Sequence, residues 1–423
     1  MSRSRAIPHW QRTVQIVSLT QIAILVGFNA IFPFIPLLFQ QLGVTDLSQV
    51  ELWSGLAIGG SGITMAFASP LWGLLADRFG RKAMLVRAIG AGSISLALQA
   101  VVERAWQLVA VRLVQGVFTG TQTAAAMLIA SIVPKERTGA AIGLMNAAVQ
   151  VGNLIGPVLG GFAVAAIGLK GAILFGAAVL ALCTIVTILT VEDTPSVVPA
   201  AAAAPSWGLR DVLDPFAWPA LRGVLIIGGL IQVSYAGTIP LIAIYVQELA
   251  RPAWLSSDVA IGLAFALSAL AAAVAMPILG AHADRHDARQ LLVVSLALVA
   301  VALVPQALVP NVIVFLVLRL PVGVGLAGTT AAITVLTRAG APVGGEGRAF
   351  GTLAAAQNMG WGFGPIVGSA LAAVIGIPGV YLAGAAGMLM LVLAAARSRT
   401  WFVLAEAVPE PVALRASDPV ELP

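Results

Sequence analysis

The chain has 423 residues, of which 59% are hydrophobic and only 10% charged, with a net charge of +5 and a mean hydropathy of +0.99. Soluble domains carry about 25% charged residues, so a soluble globular protein is excluded and most of the chain must sit in lipid. No GxxxxGK[ST] occurs, which excludes a pump with a nucleotide site of that type.

In chain order, apolar runs long enough to cross a bilayer as helices are expected at 14–38, 52–76, 83–102, 106–132, 140–167, 171–191, 221–247, 259–281, 290–308, 311–337, 348–374 and 377–398. The first run exceeds a signal-peptide core and is read as a retained helix. The sizeable break, 192–220, separates an N-terminal bundle of six helices (1–191) from a C-terminal one (221–400). It contains a Pro-Ala-rich stretch at 199–205 and Trp207, Phe216 and Trp218, and reads either as a surface-lying segment or as a plain linker. Residues 401–423 read as a tail. The expected fold class is an all-α membrane protein of twelve transmembrane helices in two six-helix pseudo-symmetric bundles.

The basic residues decide orientation. Arg3, Arg5, Arg12, Arg78, Arg81, Lys82, Lys135, Arg137, Arg285, Arg289, Arg397 and Arg399 all fall on the side of the termini, whereas Arg104, Lys170 and Arg251 fall on the other. Cytoplasmic loops are enriched in Lys and Arg, so both termini are expected in the cytoplasm of a multi-pass cell (inner) membrane protein. The basicity is then a topology signal, and no nucleic-acid partner is expected.

The halves keep step. Gly73-Leu-Leu-Ala-Asp77-Arg78-Phe-Gly80-Arg81-Lys82 returns as Gly280-Ala-His-Ala-Asp284-Arg285-His-Asp287-Ala-Arg289, with the aspartates 207 positions apart. Arg112-Leu-Val-Gln115-Gly116 answers to Arg319-Leu-Pro-Val-Gly323 at the same offset, and Gly156-Pro157 answers to Gly364-Pro365. Such a chain is a duplication, with its working site expected between the halves.

Gly73, Asp77 and Arg81 share one helix face. Asp77 lies near the C-terminus of its own helix, where the macrodipole disfavours an anion. It is therefore expected to meet a neighbouring segment, with Arg348 as the candidate, in a latch that forms when the cytoplasmic side is closed. A purely topogenic basic loop would explain Arg78, Arg81 and Lys82 but not Asp77. The second copy, Asp284, Arg285 and Arg289, would support the latch.

Gly152, Gly156 and Gly160 fall on one face and permit close helix contact, while Pro157 invites a bend. Together with Gly161, and with Gly364 and Pro365 in the second half, they are read as a face able to slide and reseal against the opposite bundle; plain tight packing explains half of the pattern. Arg112 and Arg319 lie about 10 Å inside their helices at 1.5 Å per residue, where a charge is expensive and usually faces a cavity or a partner. Pro33 and Pro36 in the first helix and Pro240 in the seventh mark equivalent bends. Asn29, Gln122, Asn146, Gln150, Gln232, Tyr235, Gln357, Asn358 and Trp361 are candidates to line a substrate cavity, as is Gln115. His282 and His286 could ligate a metal by spacing but read as loop histidines, so no metal and no cofactor is expected. Cys183 is the single cysteine, so no intramolecular disulfide forms.

The loop Gly73-x-Leu-Ala-Asp-Arg-x-Gly-Arg-Lys resembles the signature of the major facilitator superfamily. Gly152-Asn-Leu-Ile-Gly-Pro-Val-Leu-Gly-Gly161 is similar to the fifth-helix motif of its twelve-helix drug:proton antiporter branch, and Arg112-x-x-Gln-Gly116 to that branch's fourth-helix motif. Gln41-Leu-Gly-Val-Thr followed by Leu52-Trp-Ser-Gly55 further resembles efflux proteins of the MdtG type. The resemblance implies alternating access, export, and a proton-coupling role for Arg112.

All 18 Asp and Glu fall in loops or at helix ends. Exporters of lipophilic cations in this superfamily often carry an embedded carboxylate, so a neutral, zwitterionic or anionic amphiphile is the expected substrate. The same absence leaves the proton route open, with Asp77, Glu136 and Asp284 as candidates. The expected partners are a small-molecule substrate, protons and the lipid bilayer, with the chain a monomer and not an enzyme. A facilitator or importer of a small metabolite on the same fold is the alternative.

Overall fold

The computed structural model describes residues 9–192, 216, 218–342 and 345–397, with side chains described except at 9, 70, 73, 74, 77, 135, 136, 219 and 220. The element order is α1 (His9–Ile31), a 3-10 turn (Phe32–Phe34), α2 (Ile35–Gln41), α3 (Leu47–Phe79), α4 (Arg81–Val101), α5 (Ala105–Phe118), α6 (Thr121–Ile132), α7 (Lys135–Thr190), α8 (Pro219–Ala236), α9 (Ile239–Glu248), α10 (Ser257–Arg285), α11 (Ala288–Gln306), α12 (Val312–Gly340) and α13 (Glu346–Arg397).

Among the described residues nine helical stretches are long and apolar enough to cross a membrane. Two of them hold two passes each. The 56 residues of α7 would run about 84 Å if straight, at 1.5 Å per residue, against a hydrocarbon core of about 30 Å. Gly168 breaks α7 with φ 73°, ψ 168°, and Gly376 breaks α13 with φ 73°, ψ 169°. That backbone region is almost closed to residues with a Cβ, so Ile167-Gly168 and Ile375-Gly376 are turn-back points built from the same dipeptide. With α3, 33 residues long, the passes come to the expected twelve.

The expected bends in the first and seventh passes are breaks at equivalent places. The first pass is interrupted by the Phe32–Phe34 turn, with Pro33 in it. The seventh is interrupted at Gly237–Thr238, just before Pro240. Proline lacks the donor that would carry the helix through. The fourth pass also breaks, at Thr119–Gly120, where Gly120 has φ 115°. The tenth, α12, runs unbroken, so here the halves differ.

The near end of the bundle is the end at which α1 begins and α13 finishes; the far end is opposite. At the far end one apolar cluster joins Phe34, Leu38 and Phe39 of the first half to Leu241, Ile242 and Val246 of the second. Val14, Val17, Leu85, Leu128 and Val191 form a separate cluster confined to the first half. The halves are therefore sealed together at the far end.

The glycines locate the seams. A Cβ on Gly55 would stand 2.6 Å from the Pro365 carbonyl oxygen, and one on Gly262 would stand 2.3 Å from that of Pro157. These are equivalent contacts between opposite halves, α3 on α13 and α10 on α7. Gly139 and Gly143 of α7 and Gly280 of α10, toward the near end, have open space where a Cβ would be. Close approach is thus used at the far end and left unused at the near end.

Candidate functional site

Between the halves lies a cavity of about 590 Å³. Of the candidates expected there, Asn29, Gln122, Gln150, Gln232, Tyr235, Gln357 and Trp361 line it. Asn146 and Asn358 do not; both are exposed on their helices. Asn153, Ser268, Thr329 and Thr330 line it as well; for Asn153 the signal was its place three residues from Gln150, on the same helix face. Phe32 closes the cavity among aromatic rings, stacked on Trp361 (centroids 6.4 Å, 19°) and edge-on to Phe265 (6.4 Å, 87°).

The first half presents neutral amides. Asn29 Nδ2 donates to Asn153 Oδ1 at 2.8 Å, and Asn153 Nδ2 donates to Gln150 Oε1 at 3.0 Å. The second half presents a cation. Arg319, 0% exposed, lines the cavity. Its Nε donates to the Ala264 carbonyl at 2.9 Å and one terminal nitrogen donates to Tyr235 Oη at 3.1 Å. The other terminal nitrogen, Nη1, is buried without a hydrogen-bond partner. No aspartate or glutamate is among the described lining residues. Burying a charge without a counter-charge is costly, and the site holds one facing a chamber.

The two arginines therefore differ in a way that their shared motif conceals. Arg112, 7% exposed, is not among the lining residues. It donates to Gln115 Oε1 at 2.9 Å and reaches Ser61 Oγ at 3.5 Å, while Gln99 Nε2 donates to the same Gln115 oxygen at 3.2 Å. The expectation that both arginines face a cavity or a partner divides: Arg112 is knotted among α3, α4 and α5, and Arg319 faces the cavity. The residue that decides this is Gln115, whose counterpart in the second half is Val322. Without a local acceptor one turn away, Arg319 reaches across to α8 and α10. Both motif glycines do the same work: a Cβ on Gly116 would strike the Ser61 carbonyl oxygen, and one on Gly323 that of Ser268.

The glycine stripe of α7 takes a different partner from the expected one. Gly152, Gly156 and Gly160 pack on Ile22 and Leu25, on Asn29, and on Ala30 of α1, in their own half. Gly360, Gly364 and Gly368 likewise pack on Gly229 and Ala236 of α8 and on Gly237, just past its end. The contact with the opposite half falls instead on Pro157 and Gly161, against Gly262 and Asp258. Close packing within a bundle is the reason for most of the motif; the contact with the opposite half is one residue round the helix.

The loop motif is partly a capping device. Gly80, at φ 92°, ends α3 and starts α4. In the second copy Asp287 replaces it and caps α11 by accepting from the Arg289 and Gln290 amides at 2.8 and 3.3 Å. Lys82 Nζ donates to the Ile188 carbonyl at 3.0 Å. Arg289 donates to the Ala395 and Ala396 carbonyls at 2.8 and 2.6 Å. Each caps the last turn of its own half, where unpaired carbonyls and the helix dipole favour a cation, so Arg289 acts within its bundle rather than between bundles. Arg81 donates to the Met127 carbonyl at 3.3 Å. Arg78 lies by the Phe79 ring, and Asp284 and Arg285 are exposed. The surroundings of Gly73 and the side chains of Asp77 and Glu136 lie outside what the structure describes, as do Trp207 and the tail. Arg348 sits 5.7 Å from the Trp218 ring. Arg87 is half-buried in α4 and stacks 3.4 Å over the Trp72 ring.

Comparison with known proteins agrees with this architecture. The sequence is 29% identical over 376 residues to the multi-drug resistance efflux pump PmrA homolog of Lactococcus lactis, covering 89% of this chain and 91% of that protein. It is 30% identical over 385 residues to the multidrug resistance protein MdtG of Klebsiella pneumoniae, covering 90% and 92%. In fold it is similar to a bacterial homolog of the human lysosomal transporter Spinster in an inward-facing, occupied conformation (TM-score 0.73, 16% identity, 94% and 97% covered). It is equally similar to the nucleoside transporter NupG (TM-score 0.73, 13% identity, 92% and 98% covered). The sequence pattern of the Major Facilitator Superfamily matches residues 17–256 and 224–419, and the chain belongs to that family of secondary membrane transporters.

Proposed function

We propose that this protein exports neutral, zwitterionic or anionic amphiphiles by alternating access, in the manner of the multidrug efflux pumps to which it is related, with export driven by protons. The observation that carries the substrate class is the cavity itself: a buried guanidinium at Arg319 with one free terminal nitrogen, amides opposite, aromatic rings at the closed end, and no carboxylate in the described lining. A site of this kind attracts negative or neutral polar groups and repels a lipophilic cation, because Coulomb interactions strengthen away from water. Apolar walls with a few fixed polar groups suit an amphiphile.

The direction rests on the relatives, both of them named for efflux or multidrug resistance. Orientation rests on the basic loops, which place the near end in the cytoplasm; the cavity then opens inward, ready to load. In this reading Arg319 orients the substrate and Arg112 holds the far half of the first bundle together.

The test is transport by the purified protein in proteoliposomes carrying a pH gradient, with matched amphiphiles that differ only in a carboxylate, a neutral amide or a quaternary amine. The carboxylate and amide forms are expected to move and to depend on Arg319. Transport of the quaternary amine as the best substrate, unaffected by Arg319→Gln, would sink the proposal.

A further inference from the structure

A carboxylate at the sealed far end is placed to make closure depend on pH. Glu51 precedes the apolar stretch at 52–76, one turn inside α3, and is only 3% exposed. Its place in the repeat is that of Asp258, 207 positions on. Glu51 belongs to the first half, and a carboxylate of the second half acts on it: Glu248, the last residue of α9, with Asp46 of its own helix cap as the third acid. Next to Glu248, Gln247 hydrogen-bonds across the seam to Gln40. The acids therefore meet where the halves close.

Every influence on the Glu51 carboxyl, burial and the two acids, pushes the same way, and among the described residues no cation offsets them. From α2 come only Gln40 and Gln41. Between α4 and α5 stand Glu103 and Arg104, both exposed, and from α5 comes Arg112, which bonds Ser61, about 15 Å further along α3 at 1.5 Å per residue. The described far-end part of α13 carries no charged residue, α9 adds Tyr245, and Arg251 acts on Asp258 instead.

We propose that Glu51 is a proton-binding site of the transport cycle, taking up a proton when the far end closes over it and releasing it when the halves part. Closing moves the carboxyl out of water and beside Glu248, and both changes disfavour its ionised form. In the closed state burial, then Glu248, then Asp46 push its pKa from the ordinary 4.5 to about 7. The sign follows from linkage. Between those values the closed state holds a proton that the open state has lost, so closure weakens as pH rises from about 4.5 to about 7 and is flat above. Within the window the closed-to-open ratio falls by up to about tenfold per pH unit. The proton is taken from the far side and returned to it, so the site makes closure depend on far-side pH and carries no net charge across the membrane; this role rests on alternating access but not on any substrate.

The test reads conformation without substrate, so its failure is separable from failure of the substrate reading. Spin labels go on Thr45→Cys and Leu308→Cys, exposed far-end positions in opposite halves, in full-length protein with Cys183 replaced by Ala, in lipid nanodiscs. Pulsed-EPR distances should show the short, closed population shrinking as pH is raised from 5 to 7.5. E51Q should remove most of the response, leaving the smaller part contributed by Glu248, which burial also pushes up. E248Q, which keeps Glu51 but removes the like charge beside it, should move the midpoint to lower pH. A native distribution indifferent to pH, an E51Q protein with the native response, or an E248Q midpoint equal to the native one each overturns the proposal.

Discussion

Gln40 Nε2 donates to Gln247 Oε1 at 3.2 Å, and the two residues occupy the same place in the two copies of the repeat, 207 positions apart. The bond thus lies on the internal symmetry axis, at the far end, and exists only while that end is closed. A neutral hydrogen bond is worth about 1 kcal/mol net, so Gln40→Ala and Gln247→Ala should each raise the far-end-open population by about fivefold, and the double variant by little more than either alone. The same pulsed-EPR distances at fixed pH check this. Full additivity of the two substitutions would mean that the pair does not act as a unit.

The glycine seams predict state-specific defects. Gly262→Ala places a Cβ against the Pro157 carbonyl and Gly55→Ala one against Pro365, where backbone must shift. Overpacking of this kind costs about 1–3 kcal/mol, set against the closed far end only. Both variants should fold, populate the far-end-open state and transport poorly. Gly143→Val meets open space here and should instead leave the near end unable to close. Thiol accessibility at the two ends separates the outcomes: all three variants opening the same end would contradict the assignment of seams.

How far the sequence reached is clear at these positions. Twelve passes, the duplication and the paired breaks at Pro33 and Pro240 were legible because each is a local property of the chain: apolar length, spacing, or a missing donor. The turn-backs at Gly168 and Gly376 were readable as gaps between runs. What composition could not give was direction around a helix. Gly152 and Gly161 belong to one motif, yet one faces α1 and the other the opposite half. Arg112 and Arg319 share spacing and depth, and a single neighbour, Gln115 against Val322, turns one inward to a polar knot and the other to the cavity. Glu51 was set aside as a helix-end acid because its burial comes from the other bundle.

The unequal arginines make opposite predictions. Both are buried with one nitrogen unbonded, Arg112 Nε and Arg319 Nη1, but only Arg319 lines the cavity, where the described lining holds no acid. Replacing a buried charge by an apolar chain of similar volume is often neutral or stabilising. Arg319→Met should therefore melt no lower than the native protein while its transport of an anionic amphiphile falls at least tenfold. Arg112→Met removes the bonds to Gln115 and Ser61 and should lower stability by about 1–3 kcal/mol, leaving KM for substrate unchanged. Thermal melts in detergent with transport kinetics in vesicles check both. A stability loss at Arg319 larger than at Arg112 would contradict the division of roles.

Lys82 and Arg289 stand at equivalent positions and cap equivalent carbonyls, Ile188 and Ala396, at the ends of the sixth and twelfth passes. A cation at a helix C-terminus contributes about 0.3–1 kcal/mol, and a bidentate guanidinium contributes more than an ammonium with one bond. Arg289 bonds two carbonyls at 2.8 and 2.6 Å, so Arg289→Ala should destabilise the protein more than Lys82→Ala. If capping is the whole role, neither substitution changes the distribution between the two states of the cycle, and Arg289→Lys recovers part of the lost melting temperature. A shift of the near-end equilibrium with unchanged melting would instead place these residues in the gate that the loop motif suggested.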